Sequence, residues 1–186
     1  MSARTLHLLP LGPPFPDAGL VAWLASALER RLGVRVRTEP KRALHPAGAP
    51  GRASADEVLD HLAELRPPIG DRPPADWTLA LTAADLHAAG RAFVFGAAAV
   101  GGAWAVVSTA RLLPDDLPGD TGLLRARLLK EVLHELGHLA ALSHCAASGC
   151  VMTASSGVHG VDRKGTDFCE ACSRQLAALD PPLAAR

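Results

Sequence analysis

The fold of this 186-residue chain turns on one run, His134-Glu-Leu-Gly-His138-Leu-Ala-Ala141-Leu-Ser-His144. On a helix, His134 and His138 stand four residues apart on one face, about 6 Å between Cβ atoms, which suits two ligands of one zinc ion. Glu135 lies about 100° further round, near enough to reach a water at that metal without ligating it. The plain alternative is a helix face on which two imidazoles and a carboxylate make ordinary salt bridges. His144 weighs against it. Ten residues after His134, a continuing helix would carry it away from the other two imidazoles, so the helix must end and double back for His144 to become a third ligand.

Upstream, Asp120 is placed to cap a helix over about 122–141, with Leu124, Leu128, Leu133, Leu136 and Ala140 among its apolar positions. Downstream come Cys145-Ala-Ala-Ser-Gly-Cys150-Val-Met152 and, after sixteen intervening residues, Cys169-Glu-Ala-Cys172. The N-terminus is a poor match to a secretory leader, so a cytoplasmic location is expected, and clustered cysteines there read as metal ligands before disulfides. Four thiolates at this spacing suit a closed tetrahedral structural zinc; paired disulfides or buried free thiols remain the other readings. Because Cys145 directly follows His144, filling the cysteine site would also fix the third histidine.

The first half of the chain alternates strands with helices. Strands are expected at Thr5–Leu11, 34–38 and Trp77–Thr82, and helices over 17–32, stopped by Gly33, and from Ser54-Ala-Asp-Glu57, which has capping-box form. Segments 92–95 and 104–109 flank a Gly- and Ala-rich connection and read as a strand pair joined by a loop. Residues 39–52 are expected to be a surface loop, and 66–76, with four prolines, a linker. This order implies a largely parallel sheet with helical crossovers.

From His134 to Cys172 the chain resembles the archaemetzincins, a family of metzincins, whose signature joins H-E-x-x-H-x-x-G-x-x-H to a Cys, a second Cys, a Met and a distal C-x-x-C. Ala141 departs from the glycine of the pattern, and the Met152-to-Cys169 spacer is about one residue short. Phe93-Val-Phe-Gly96, Gly101-Gly102 and the segment 105–112 resemble the strands that lead into the family's zinc helix, so the likeness spans roughly 77–179.

The resemblance implies an α/β zincin fold: a twisted, mostly parallel sheet with an antiparallel edge strand, a long active-site helix and a zinc-stapled C-terminal part. One domain, 1–186, is expected, with sheet and helices in 1–141 and a C-terminal subdomain in 142–186. It also implies two zinc ions, a catalytic one on His134, His138 and His144 and a structural one on Cys145, Cys150, Cys169 and Cys172. Met152 resembles the residue that packs beneath the histidines; a methionine there is also plain core filler. The segment 105–109 would lie at the sheet edge above the cleft, although its apolar run suits an interior strand equally well.

The chemistry so implied is peptide hydrolysis by a zinc-activated water, with Glu135 as catalytic base taking the water proton and passing it to the leaving amine. The chain has no tyrosine to support the oxyanion, which leaves His159, His87 and Lys164 as unranked candidates beside their reading as simply solvated groups. Nineteen basic residues balance nineteen acidic ones, so nothing marks a nucleic-acid or membrane partner, and 48% hydrophobic content is ample for one core. A monomer acting on a peptide or protein substrate is expected. The rivals are a non-catalytic zinc scaffold, which would have no use for Glu135, and a zinc-ribbon nucleic-acid module, which lacks a basic stripe.

Overall fold

A computed structural model describes residues 4–44, 51–65, 76–113, 119–179 and 183. Strand β1 (Thr5–Leu11) lies between β2 (Arg35–Thr38) and β4 (Trp77–Thr82), both parallel to it. Beyond β4 comes β8 (Trp104–Ser108), also parallel, and then β7 (Gly96–Ala98), antiparallel, to give the order β2-β1-β4-β8-β7. A second sheet holds β3 (Arg52–Ser54), β5 (Asp85–Ala88) and β6 (Arg91–Val94) in the order β3-β5-β6.

The alternation of side chains along the central strands sorts them into two cores. Leu6, Leu8, Leu79, Leu81, Ala105 and Val107 face one side, against helices α1 (Leu20–Leu32) and α3 (Thr121–Leu139). Leu9, Leu11, Ala80 and Val106 face the other, against α2 (Ala55–Leu65) and Leu86 of the second sheet. All six residues of β4 are buried, as a strand covered on both faces requires. Asp17 anchors α1 to α3 through its carboxylate, which accepts from Arg125 Nε at 2.7 Å. No helix among the described residues is long and apolar enough to cross a membrane.

Two expectations need correction. Segment 92–95 does not pair with 104–109: β6 pairs with β5 (Leu86 opposite Val94), and the supposed connection itself supplies β7. The chain changes sheets at Phe95, whose ring is buried and whose carbonyl accepts from Ser108 N at 2.8 Å. Segment 105–109 is interior, flanked by β4 and β7, which is why Ala105, Val106 and Val107 are fully buried; the edge strand is β7. The proline-rich linker falls outside the described residues apart from Asp76, as does 45–50 of the expected surface loop.

The C-terminal part carries α4 (Val158–Arg163) and α5 (Glu170–Ala177). Its Val151, Met152, Val161 and Leu176 join the same core as Leu133 and Leu136 of α3.

Candidate metal centre

Helix α3 starts where Asp120 Oδ1 accepts from Leu123 N at 2.9 Å, and Ala140 closes it. Ala141 then takes φ 61°, left-handed like the glycine of the sequence pattern, and is the one non-glycine residue with positive φ among the described residues. Its amide and that of Gly101 both donate to His138 O at 2.9 Å, while Leu142 N donates to Gly137 O at 2.9 Å. The chain doubles back through this turn and brings His144 over the helix.

The three imidazoles form one cluster, with ring centroids 4.7, 5.0 and 5.2 Å apart. His134 Nδ1 lies 2.9 Å from Val151 O and His138 Nδ1 lies 2.8 Å from Leu142 O, so each neutral ring donates from Nδ1 and presents a lone pair at Nε2. These two Nε2 atoms are 3.2 Å apart. Facing lone pairs at that distance repel unless a cation lies between them, and tetrahedral zinc with bonds of about 2.05 Å sets its nitrogens about 3.3 Å apart. The donor set fits zinc. Burial first, then the positive charge of Lys164, pushes His134 down to about 3, and burial also lowers His144. Both therefore stay neutral and able to ligate at pH 7.

Glu135 is 5% exposed, and burial, with the Glu131 charge adding to it, pushes its carboxyl up to about 8. Gly96 of the edge strand makes room for it: a Cβ there would come within 2.8 Å of Glu135 Cγ, Glu135 Oε1 and Val106 O. Glycine at 137 has a similar purpose. A side chain there would collide with Met152, which is fully buried beneath the helix between the two α3 histidines, and would press on Phe168.

The four cysteines form a second cluster. Cys145 and Cys169 Sγ are 3.7 Å apart and Cys150 and Cys172 Sγ 3.9 Å, far beyond a disulfide bond of about 2.05 Å and close to the roughly 3.8 Å that tetrahedral zinc with 2.3 Å bonds requires. Amides of Ala147 and Cys169 donate to the Cys145 and Cys150 sulfurs at 3.4 Å, the support a thiolate cluster needs.

A cleft of about 700 Å³ opens onto the imidazoles and Glu135, walled by β7, by Phe93 and Phe95, and by 154–156. Of the oxyanion candidates, His87 and His159 do not line it. Lys164 is buried behind it, its Nζ 2.8 Å from Glu131 Oε1. Sequence reasoning missed this Glu131–Lys164 pair because 33 residues separate its members. It also read Gly96 as part of a loop and, by resemblance, as the end of a strand leading to the zinc helix, but not as the space that Glu135 fills.

An H-E-x-x-H helix that doubles back to a third imidazole, under a cleft edged by an antiparallel strand, is the arrangement of the metzincin class of zinc peptidases. Within that class the chain belongs to peptidase family M54, whose family model matches residues 27–178. The resemblance read from the signature is thus borne out. An archaemetzincin of Methanopyrus kandleri is 41% identical over 145 residues, covering 76% of this chain and 77% of its own. One of Archaeoglobus fulgidus is 44% identical over 104 residues, 56% of this chain and 62% of the relative, so that match spans just under two thirds of its length. The crystal structure of the Archaeoglobus archaemetzincin, complexed with malonate, superposes with a TM-score of 0.77 at 32% identity over 92% of this chain and 99% of that one. The Methanopyrus structure gives 0.76 at 36% identity over 94% and 96%.

Proposed function

We propose that the protein is a zinc-dependent peptidase that binds its catalytic zinc through His134, His138 and His144 and uses Glu135 as the general base. The observation that carries this reading is the pair of α3 imidazoles, both fixed by Nδ1 hydrogen bonds with Nε2 atoms 3.2 Å apart, beside a buried carboxylate that has no ion pair among the described residues. Bound there, zinc supplies a Lewis acid and a water of lowered pKa. Glu135 takes up a proton in the attack on the peptide carbonyl and returns it to the departing amine. Burial raises its proton affinity toward neutrality, which suits a group that must both accept and release. Gly96, with no side chain, leaves this carboxylate its place against the edge strand.

The substrate is a peptide or protein segment. Among the described residues no strand covers the outer edge of β7, and an extended chain laid there would run past the imidazoles. Cys145, Cys150, Cys169 and Cys172 hold a second, structural zinc. Met152, lodged against Gly137, supports the floor of the histidine site. We read 1–186 as one domain in which 142–186, stapled by the cysteines, completes the site begun by α3, a reading supported by the shared core of Val151, Met152, Leu133 and Leu136.

The test is Glu135→Gln, assayed on a peptide library beside the wild type with zinc content measured on both. The variant is expected to keep its zinc and to lose cleavage by about 100-fold or more. Unchanged cleavage, or no cleavage by the zinc-loaded wild type, would leave a binding scaffold instead.

A further inference from the structure

We infer that Arg91 selects substrates that carry a carboxylate near the cleaved bond; this rests on the peptidase reading above and names the substrate class of the same site. The ionisable groups lining the cleft are Arg91, Glu131, Glu135 and the three histidines. Glu131 is balanced by Lys164 at 2.8 Å, and Glu135 and His134 are buried within the centre itself. Arg91 is different: it is exposed and, among the described residues, has neither an ion pair nor a hydrogen-bond partner for its side chain.

The carboxylates of Asp85 on β5 and Asp56 on α2 are engaged elsewhere. Asp85 accepts two bonds at 2.7 Å from Arg111, and Asp56 faces the amide of Ala89 at 3.4 Å. Arg91 is therefore the one unbalanced side-chain charge that the described residues present to the cleft, and zinc at the histidines would add positive charge to it. The complement is an anion.

Position and shape agree with this. Arg91 opens β6 directly after the tight turn at Gly90 and pairs with Ala88, so its backbone is fixed at the cleft wall. Arg91 lines the same cleft as His144. Around it the wall is apolar, with Ala92 and the edge-to-face pair Phe93 and Phe95, 5.5 Å between centroids, so no neighbouring side chain competes for a carboxylate. A guanidinium presents a planar fork that a carboxylate meets with two parallel bonds. That carboxylate has two sources in a peptide, an acidic side chain or the chain's own C-terminus.

The experiment compares four matched peptides, Glu or Gln beside the cleaved bond and each with a free or amidated C-terminus, cut by the zinc-loaded wild type, Arg91→Ala and Arg91→Glu. The wild type is expected to show a KM about fivefold to tenfold lower for the carboxylate peptides with similar kcat, the pattern of binding held equally in ground and transition states. Arg91→Ala erases the difference, and Arg91→Glu reverses it, so that the peptides lacking the carboxylate have the lower KM. The arm that carries the difference, Glu or free terminus, identifies the source. Equal KM for all four peptides in the wild type, or a preference that survives Arg91→Ala, would overturn the inference while leaving the peptidase reading intact. No cleavage of any peptide by the wild type would overturn both.

Discussion

At the residue scale, the turn after α3 is held by an alanine in a backbone conformation that favours glycine, φ 61° at Ala141. The strain, roughly 1 to 2 kcal/mol, is tolerated because that turn delivers His144. Ala141→Gly removes the strain and adds about 0.4 to 1 kcal/mol of unfolded-chain entropy, so a net gain near 0.5 kcal/mol and a rise of about 2 °C in Tm are expected in thermal unfolding; a fall in Tm would contradict the account of the turn. Glu135 makes a second prediction, for metal-stripped protein. Its folded pKa, about 8, lies above the ordinary 4.5, so its contribution to stability is complete below pH 4.5 and is lost as pH rises through 8. His134, lowered from 6.5 to about 3, acts in the opposite sense: its contribution is present above 6.5 and lost as pH falls toward 3. The two overlap between pH 4.5 and 6.5, which leaves 6.5 to 8 as the window that separates the carboxyl from His134; Cys169, lowered to about 7, acts there in the opposite sense but equally in wild type and variant. Across that window the urea midpoint of the stripped wild type should fall with rising pH relative to that of Glu135→Gln; parallel curves would show that Glu135 is not held protonated.

At the element scale, the two ligand sets are joined in the chain, since Cys145 follows His144 and its amide donates to Met152 O at 3.0 Å. Cys169→Ser is expected to lose the cysteine-bound zinc and to loosen the histidine-bound one by about 10- to 100-fold, read as release to a chelator of graded strength. Undiminished retention at the histidines would show the sites to be independent. What could be read from the sequence follows the length of the elements. Helices α1 and α3 declare themselves through long apolar periodicity and, for α3, an Asp120 cap, β1 through a loose alternation and β4 through an apolar run. Strand β7 is three small residues, Gly96–Ala98, with no alternation to read, so its flanking apolar runs were joined to each other and the edge was assigned one strand too far in. Strands β3 and β5 are similarly short. The candidate site was legible because its ligands crowd into 134–172; the Glu131–Lys164 pair and the fit of Gly96 to Glu135 were not, because they are made only when distant segments pack.

At the scale of the whole molecule, a sheet with helices on both faces fixes α3 on one side while the C-terminal part folds back onto that helix from Val151 to Leu176. The three-imidazole cluster lies at their junction, next in the chain to the four-cysteine cluster, and among the described residues no strand covers the outer edge of β7. The central claim is that this junction is a catalytic zinc centre separate from a structural one. Zinc content by elemental analysis, on the wild type and on His138→Ala with cleavage assayed on the same samples, tests it most directly. The account predicts near two zinc ions per chain, with one lost together with cleavage in the variant. A single zinc untouched by His138→Ala, and peptides left intact by the wild type, would contradict it.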